Sequence, residues 1–351
     1  MNIKRFGSLI LIAALLLLTA CGLFSNPSLN DVPPDGESLG FTVYFIDVGQ
    51  ADSALIVSDG ATMLIDGGNV ADSNLVYAFL KEHGISHLDY IVGTHAHEDH
   101  IGGLAGALNY ASVDVALCPV TENDTKAFKN FVKYLDEQGV SITVPRHGDT
   151  FKLGGASVTV LAPIKPSDNA NNTSIVLKIV YGETSFLFTG DAERAEEADI
   201  LDAGYDLSAT VLKVGHHGSE TSTSYPFLRE IMPTYAVISC GAGNSYGHPH
   251  EETLSKLRDA DVILYRTDLQ GTITAVSDGK TVTFTTERNS GTVTNPTTPT
   301  ADEPYYIGNV NSHILHSPTC NSLPSESNRV IFSTLDDALA AGYEKHKVCL
   351  P

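Results

Sequence analysis

The chain has 351 residues, of which 42% are hydrophobic and 18% are charged, and this composition is that of a globular protein rather than a disordered one. A chain of this length can form one large core and a small additional module. Its formal net charge of −21 excludes broad, charge-driven binding to phosphate backbones. It does not exclude a local site at which bound metal ions reverse the sign of the charge.

The first 21 residues have the pattern of an export signal. Lys4 and Arg5 precede the apolar run LILIAALLLLTA, which is short for a membrane span. The run ends in LTAC at Cys21, which resembles the lipobox of bacterial lipoproteins. That resemblance implies cleavage before Cys21, lipidation of its thiol and anchoring at the extracellular face of the cell membrane. An ordinary signal peptide or an uncleaved anchor is the alternative. Residues 22–38 are rich in turn formers and are expected to be a tether.

Short apolar runs bounded by turn formers recur through residues 39–287, the expected main domain. The strand-like runs are FTVYFIDVG, SALIVSDG, TMLIDGG, ASVTVLAP, TSIVLKIVYG, TSFLFTGD, ATVLKVG and YAVISCG. Helical patterns occur in NLVYAFLKEHG, KAFKNFVKYLDEQG, EEADILDAG, YPFLREIM and EETLSKLRDA. The runs from ASVTVLAP to TSFLFTGD predict adjacent antiparallel strands, whereas the later strands alternate with helices. This mixture predicts an α/β fold in which helices cover two packed sheets, an αββα sandwich.

The end of the chain differs from the main domain in composition. Residues 288–304 are rich in Thr, Pro and Asn and lack periodicity, so they are expected to form a linker to a separate module at 305–351. Of the five cysteines, four lie beyond Cys21, which is too few for a disulfide scaffold. Cys118 and Cys240 lie in apolar runs and are expected to be buried strand residues.

The segment THAHEDHIGG, residues 94–103, concentrates histidines and acids directly after an apolar run. Imidazole nitrogens and carboxylates in one short loop are ligands that divalent metal ions prefer. Other predicted strand ends also present such side chains, namely Asp66, Asp191, His216, His217, His248 and His250. Several strand ends of this kind predict a shared site at one rim. By itself, any one of Asp66, Asp191 or His250 could equally be a capping or turn residue.

Region 41–285 resembles the metallo-β-lactamase superfamily, because HAHEDH matches the superfamily signature HxHxDH. More narrowly, the segments FIDVGQADSALI, NNTSIVLKIVYG, FLFTGD, LKVGHHGS and YGHPHEETL resemble the hydrolase domain of the ComEC/Rec2 competence proteins and their exported stand-alone relatives. The resemblance implies a hydrolase with two divalent metal ions, zinc or manganese. The sequence lacks the many membrane-spanning helices of full ComEC proteins, so a transmembrane DNA channel is not expected.

The same resemblance implies metal-binding roles for the matched residues. His95 and His97 would hold one ion. Asp99 and His100 would hold the other, and Asp191 would bridge the two.

Further along the chain, the resemblance implies that His248 completes the shell of the second ion. His216 or His217 would face the substrate as proton donor or phosphate contact, although one of them could ligate in place of His248. Adjacent residues at a strand end point to opposite sides, so only one of the pair is expected to face the ions. Asp66 would orient a ligand. The candidate catalytic residues are therefore Asp99, His216 and His217.

One position departs from the superfamily pattern. Where the superfamily usually has a further histidine for the first ion, this sequence reads NANNTSIVL, with Asn171 and Asn172. The ComEC-like branch shares this asparagine. An amide oxygen is a poorer ligand than an imidazole, so Asn172 would make the first site weaker, or suited to Mn²⁺ as well as Zn²⁺.

The terminal module contains the pairs HSPTC and HKVC, spaced as in small zinc sites. It resembles the metal-binding domain of Ada-type DNA repair proteins, which implies that His316, Cys320, His346 and Cys349 hold one structural zinc ion. His316 stands where that family has its alkyl-accepting thiol, so repair by self-methylation is not expected. A Cys320–Cys349 disulfide is the alternative, since so small a core needs one constraint or the other.

A two-metal centre fits phosphodiester hydrolysis, because metal ions neutralise the phosphate and a flanking protonated histidine can protonate the leaving group. The two resemblances favour extracellular DNA as the substrate. The alternatives are a cell-wall phosphodiester such as a choline-decorated teichoic acid, a lactone, or a non-catalytic DNA-binding surface lipoprotein. The sequence does not set the oligomeric state.

Overall fold

The computed structural model of the protein describes residues 40–295, 305–332 and 334–350. The expected export signal with Cys21 and the expected tether lie outside the described residues, as does the stretch 296–304 of the expected linker. Within the described ranges, no helix combines the length and the apolar character that crossing a membrane requires.

Regular structure begins almost at once in the described part of the chain. Its strands are β1 (Phe41–Phe45), β2 (Ala54–Ser58), β3 (Ala61–Ile65), β4 (His87–Val92), β5 (Ser112–Leu117), β6 (Ile142–Thr143), β7 (Thr150–Leu153), β8 (Ala156–Ala162), β9 (Val176–Tyr181), β10 (Thr184–Phe188), β11 (Val211–Lys213), β12 (Tyr235–Ile238), β13 (Ile263–Arg266), β14 (Ile273–Ser277), β15 (Val282–Thr286), β16 (Tyr306–Asn309), β17 (Ile314–His316), β18 (Arg329–Phe332) and β19 (Glu344–Lys345). Its α-helices are α1 (Ser73–Glu82), α2 (Glu98–Ile101), α3 (Leu104–Leu108), α4 (Lys126–Glu137), α5 (Arg194–Ala203), α6 (Tyr225–Ile231), α7 (Glu251–Asp259), α8 (Thr267–Gln270) and α9 (Leu335–Ala340).

Two large sheets form the main domain. The first has the strand order β15-β14-β1-β2-β3-β4-β5-β6, and the second has the order β13-β12-β11-β10-β9-β8-β7. In the second sheet β8, β9 and β10 are antiparallel neighbours, as the sequence predicts. The strands from β10 to β13 are parallel, and α5, α6 and α7 connect them. Their carboxyl ends therefore meet at one edge of the sheet.

Helices cover the outer face of each sheet. Between the sheets lies a core that includes Val43 of β1 and Phe186 of β10. The outer face of the first sheet packs against α1, α3 and α4 through residues such as Phe131, and that of the second packs against α5, α6 and α7 through residues such as Phe227. The predicted αββα sandwich is confirmed. Strands such as β2 are buried along their whole length because both of their faces are covered.

The predicted helices all form in this sandwich, as α1, α4, α5, α6 and α7. Cys118 follows the last residue of β5 and Cys240 lies just beyond β12; both are fully buried. The prediction that both cysteines are buried is confirmed, although each lies just past its strand.

The expected linker starts later than residue 288. Arg288 lies 3.0 Å from the carboxylate of Asp47 through its guanidinium. The Arg258 guanidinium donates to Asn295 Oδ1 at 2.7 Å, and Thr294 is buried. Residues 288–295 are therefore part of the main domain. Individual side-chain bonds hold them there, and a composition rich in Thr and Asn does not reveal such bonds.

The terminal module has its own four-stranded sheet, in the order β18-β16-β17-β19. One small cluster, which includes Leu315, Phe332 and Ala338 of α9, forms its core. A core of this size provides little stability without a metal ion or a cross-link.

Candidate metal centre

The loop after β4 carries most of the candidate metal ligands. His95 and His100 are fully buried, whereas His97 is exposed. His97 precedes the first residue of α2, which contains His100, and the chain beyond α2 passes very close to the loop after β3. A Cβ on Gly103 would lie 1.8 Å from the carbonyl oxygen of Gly67, so only glycine fits at this crossing.

Asp66 holds this loop in place from the end of β3. Its carboxylate accepts hydrogen bonds from the Thr94 backbone N–H at 2.8 Å and from the Thr94 hydroxyl at 2.7 Å. The same carboxylate is 2.8 Å from His100 Nδ1, which donates to it. Asp66 therefore fixes the His100 ring with Nε2 turned towards Asp191.

The two oxygens of the buried Asp191 carboxylate face different histidines. Oδ2 lies 3.8 Å from His95 Nε2 and 3.6 Å from His216 Nε2. Oδ1 lies 3.3 Å from His100 Nε2 and 3.7 Å from His217 Nε2. A carboxylate placed in this way can serve two ions at once.

The turn that carries His216 and His217 differs from the expectation. Both residues have left-handed backbone conformations, with φ of 51° and 54°. Two consecutive residues of this kind curl the chain, so the alternation of an extended strand does not apply. Both rings therefore face Asp191, and the expectation that only one of them would is wrong.

His217 lies in the ligand position implied for His248, which is the alternative that was left open for one of the two adjacent histidines. His217 is almost fully buried, its Nδ1 lies 3.1 Å from the Ser239 carbonyl oxygen, and its Nε2 lies 3.4 Å from Asp99. Among the described residues His248 belongs to no group of clustered metal-ligating atoms. Its ring lies behind His217, at 6.3 Å between centroids, and its Nδ1 is 3.3 Å from Gln50 Nε2.

Four groups of clustered ligand atoms occur in the described part of the main domain; one of them, His87, Asp89 and Asp114, lies on the strands β4 and β5, and two of the others share no residue. Of these two, the first group is His95, His97 and Asp191, and the second is Asp99, His100 and His217; in each, the ligating atoms lie within 4.8 Å of one another. A tetrahedral ion with bonds of about 2.1 Å places its ligands about 3.4 Å apart, which is close to the 3.3–3.7 Å measured around Asp191 Oδ1. A carboxylate oxygen of Asp52 also lies within 4.8 Å of the ligating atoms of His100 and Asp191.

Unsatisfied buried atoms support this assignment. Asp191 Oδ1, His100 Nε2 and His217 Nε2 are buried and have no hydrogen-bond partner in the described part of the chain. Orphaned polar atoms are costly unless something else binds them, and three that converge on one point fit a cation. These residues therefore fit a divalent metal ion.

The electrostatics of the centre favour positive charge. Burial opposes ionisation of Asp191, but His100 and His217 hold the pKa of its carboxyl well below the ordinary value. Burial likewise opposes a charged His100, but Asp191 and Asp66 raise its pKa well above the ordinary value. His248 behaves in the opposite way: burial and the nearby His217 lower its pKa to about 4.

Asn172 uses its side-chain oxygen to hold a neighbouring loop, whereas the resemblance implies a weak metal ligand. Its Oδ1 accepts a hydrogen bond from the Glu193 backbone at 3.0 Å, which engages the oxygen that would have been the weak ligand. The nearby Ser174 hydroxyl accepts from the Asp191 backbone N–H at 3.1 Å. The NNTS segment thus positions the loop that carries Asp191.

Sequence reasoning missed a buried ion pair beneath the centre. Lys213 Nζ donates to Asp52 Oδ2 at 2.7 Å, and Asp52 Oδ1 lies 3.2 Å from His217 Nδ1. Both side chains are almost fully buried. The lysine inside the apolar run ATVLKVG could have predicted this ion pair, because a buried lysine requires a paired acid.

The tail module brings its four candidate ligands together. His316 Nδ1 lies 3.3 Å from Cys320 Sγ, His346 Nδ1 lies 3.2 Å from Cys349 Sγ, and Cys320 Sγ lies 3.5 Å from His346 Nδ1. All four ligating atoms lie within 4.8 Å of one another, and both cysteines are free thiols. Two thiols and two imidazoles in this arrangement suit zinc.

Comparisons with known proteins agree with these two sites. A model of the Metallo-beta-lactamase superfamily matches residues 46–242, more than half of the chain, and a model of the Metal binding domain of Ada matches residues 294–351. ComE operon protein 3 of Bacillus subtilis (strain 168) is 32% identical over 250 residues, covering 66% of this chain and 32% of the relative. Competence protein ComA of Neisseria gonorrhoeae is 30% identical over 275 residues, covering 74% of this chain and 37% of the relative.

A third relative, Recombination protein 2 of Haemophilus influenzae, is 30% identical over 236 residues, covering 65% of this chain and 28% of the relative. The chain therefore spans about a third of the length of these curated relatives.

Proposed function

Because the chain belongs to the metallo-beta-lactamase superfamily and is a metal-dependent hydrolase of that fold, we propose that it hydrolyses phosphodiesters, with DNA outside the cytoplasm as the substrate. The observation that carries the proposal is the placement of Asp191: it belongs to the first group of ligating atoms, and its Oδ1 faces His100 and His217 of the second. Divalent ions bound there would supply the positive charge that polarises a phosphoryl group and makes water nucleophilic near neutral pH.

His216 is the proposed proton donor to the leaving oxygen. Its side chain is 22% exposed, which sets it apart from the buried His217. Glu193 Oε1 lies 3.4 Å from His216 Nδ1, and the Thr221 hydroxyl lies 3.1 Å from the same nitrogen. This bracing holds Nε2 at the open side of the centre, where a protonated imidazole can give its proton to substrate.

His97 and Asp99 form the rest of the open side. His97 is exposed, and Asp99 is partly exposed while its carboxylate contacts His217 Nε2. In this proposal the two residues hold metal ions at the point where substrate enters. The buried His95 and His100 hold the same ions from below.

DNA is favoured over other phosphodiesters by two similarities. Two of the curated relatives are named Competence protein ComA and Recombination protein 2, and the tail matches the metal-binding domain of Ada. We propose further that Cys21 carries a lipid and holds the protein at the extracellular face of the membrane. The overall acidity requires that contact with DNA be confined to the metal centre and its rim.

The test is hydrolysis of bis(p-nitrophenyl) phosphate by the purified protein, with and without added Mn²⁺ or Zn²⁺. Metal-dependent release of nitrophenol is expected, together with its loss in Asp191→Ala. Single-stranded DNA, double-stranded DNA and teichoic acid are then compared under the same conditions. A lactone is assayed beside them. Cleavage of teichoic acid alone, or of the lactone alone, would replace DNA by that substrate. Metal binding without any turnover would make the protein a binding protein.

A further inference from the structure

An exposed tyrosine stands at the outer end of a column of rings that leads away from the metal centre. The His217 and His248 rings are 6.3 Å apart at 26°, and the His248 and Tyr246 rings are 5.6 Å apart at 24°. His217 and His248 are buried, whereas Tyr246 is 68% exposed. One face of the Tyr246 ring thus packs on an imidazole, and the ring stays largely open to solvent.

The backbone around Tyr246 is held firmly. Asn244 Oδ1 accepts hydrogen bonds from the N–H groups of Tyr246 at 3.1 Å and His248 at 3.0 Å. The amide of Asn244 donates to the Gly241 carbonyl oxygen at 2.9 Å. His250 Nε2 lies 3.1 Å from the Tyr246 carbonyl oxygen and donates to it. A ring presented in this way is already in place before any ligand arrives.

Ring contacts connect Tyr246 with the metal centre. The His248 ring, which packs on Tyr246, lies 5.6 Å from the His216 ring, and His216 Nε2 is 3.6 Å from Asp191. A base near the scissile phosphate would meet the open face of Tyr246 at the outer end of this series of rings.

Two basic side chains of this region are already engaged. Lys213 is buried against Asp52, and Arg194 donates to Glu252 at 3.0 Å. Each already has a carboxylate partner, so the positive charge that it offers a phosphate is partly offset. Base stacking needs no basic groove, and it tolerates any sequence because every base has a flat π face.

We propose that the open face of Tyr246 is a stacking site for a base of a single-stranded nucleic-acid substrate, an inference that rests on the proposed function. A single flat ring suits a planar base. Quaternary ammonium groups, such as the choline of a wall polymer, are bound by cages of several aromatic rings. Tyr246 is therefore a residue that selects nucleotides among phosphodiesters.

A matched pair of substrates tests the proposal in turnover. The p-nitrophenyl ester of thymidine 5′-phosphate and methyl p-nitrophenyl phosphate share a leaving group, but only the first has a base. Tyr246→Ala is expected to raise KM about tenfold for the thymidine ester, to leave its kcat unchanged and to leave the methyl ester unaffected. Tyr246→Phe is expected to behave as the unaltered protein. Equal effects on both esters, or none on either, would overturn the proposal.

Binding provides a second readout that does not need turnover. The chain has no tryptophan, so Tyr246→Trp introduces a single indole at the proposed stacking site. Tetrathymidylate is expected to quench its emission strongly, whereas a tetramer with the same phosphates and no bases is expected not to. Equal quenching by both would overturn stacking. Displacement of tetrathymidylate by choline phosphate would show that the open face of residue 246 binds a cation instead of a base. Quenching by tetrathymidylate without hydrolysis of either ester would support the stacking site and contradict the proposed hydrolytic function.

Discussion

Lys213 and Asp52 form a buried ion pair, with 2.7 Å between Nζ and Oδ2, directly beneath the metal centre. Removing only the lysine takes the main counter-charge from a buried carboxylate, which then keeps only the contact with His217 Nδ1 at 3.2 Å. We expect Lys213→Met to lower the free energy of unfolding by about 3–5 kcal/mol, measured by urea denaturation. The double variant Asp52→Asn/Lys213→Met should recover part of this loss, because neither group is then charged. A double variant as unstable as the single one would speak against pairing as the cause.

The shared carboxylate gives the second prediction. Asp191→Ala is expected to lose at least one equivalent of metal from the main domain and nearly all turnover, because Asp191 faces both groups of ligating atoms. Metal is counted by elemental analysis of the purified protein. Asp136→Ala, which alters an exposed carboxylate of α4, serves as the matched control and should change neither quantity. Full activity in Asp191→Ala would contradict the prediction that Asp191 bridges two metal ions.

His217 and His248 are distinguished by metal content. His217 Nε2 points at Asp99 and Asp191, whereas His248 lies behind it against Gln50. We expect His217→Ala to lose metal and His248→Ala to retain it while losing some turnover. The reverse result would restore the assignment of His248 as the ligand.

Glu196 gives a pH-dependent prediction away from the metal centre. Burial raises the pKa of this carboxyl from 4.5 to about 6, so the folded protein favours the protonated form. Ionisation therefore costs stability above pH 6, and this cost disappears as pH falls through 4.5. Glu196→Gln keeps an oxygen to accept the Ile164 N–H bond.

We expect Glu196→Gln to stabilise the protein by about 1–2 kcal/mol at pH 7.5 and by almost nothing at pH 4.5. Urea denaturation at the two pH values measures both differences. Asp202→Asn, on the same helix and exposed, is the control. A stabilisation that does not depend on pH would contradict ionisation as its cause.

The tail module is expected to hold one zinc ion through its two thiols and two imidazoles. Cys349→Ser should release that equivalent and leave hydrolysis of bis(p-nitrophenyl) phosphate by the main domain unchanged. A chromogenic chelator measures the zinc, and a thiol reagent counts free cysteines before and after its removal. The thiols are counted in the denatured, metal-free protein, because Cys118 and Cys240 are buried in the folded one. Two fewer reactive thiols there than in the same protein after reduction would indicate the Cys320–Cys349 disulfide instead.

Sequence patterns alone were enough to predict the layers of the fold and the metal-ligating side chains of the segment His95–His100. Strand and helix periodicity is local, and four metal-ligating side chains within six residues can be read without knowing what lies opposite them. Motif order also placed Asp66 and Asp191, because each stands directly after an apolar strand and the carboxyl ends of such strands meet at one edge.

Only the tertiary structure decided between His217 and His248, added Asp52 and Lys213, and gave Asn172 a different task. Each of these depends on which atoms from separate loops and strands meet in the folded protein. The left-handed turn at His216 and His217 reverses the direction of a side chain, and no periodicity encodes that reversal. Spacing along the chain identifies ligands that share a loop, whereas ligands contributed by separate strands are fixed by packing and by backbone conformation.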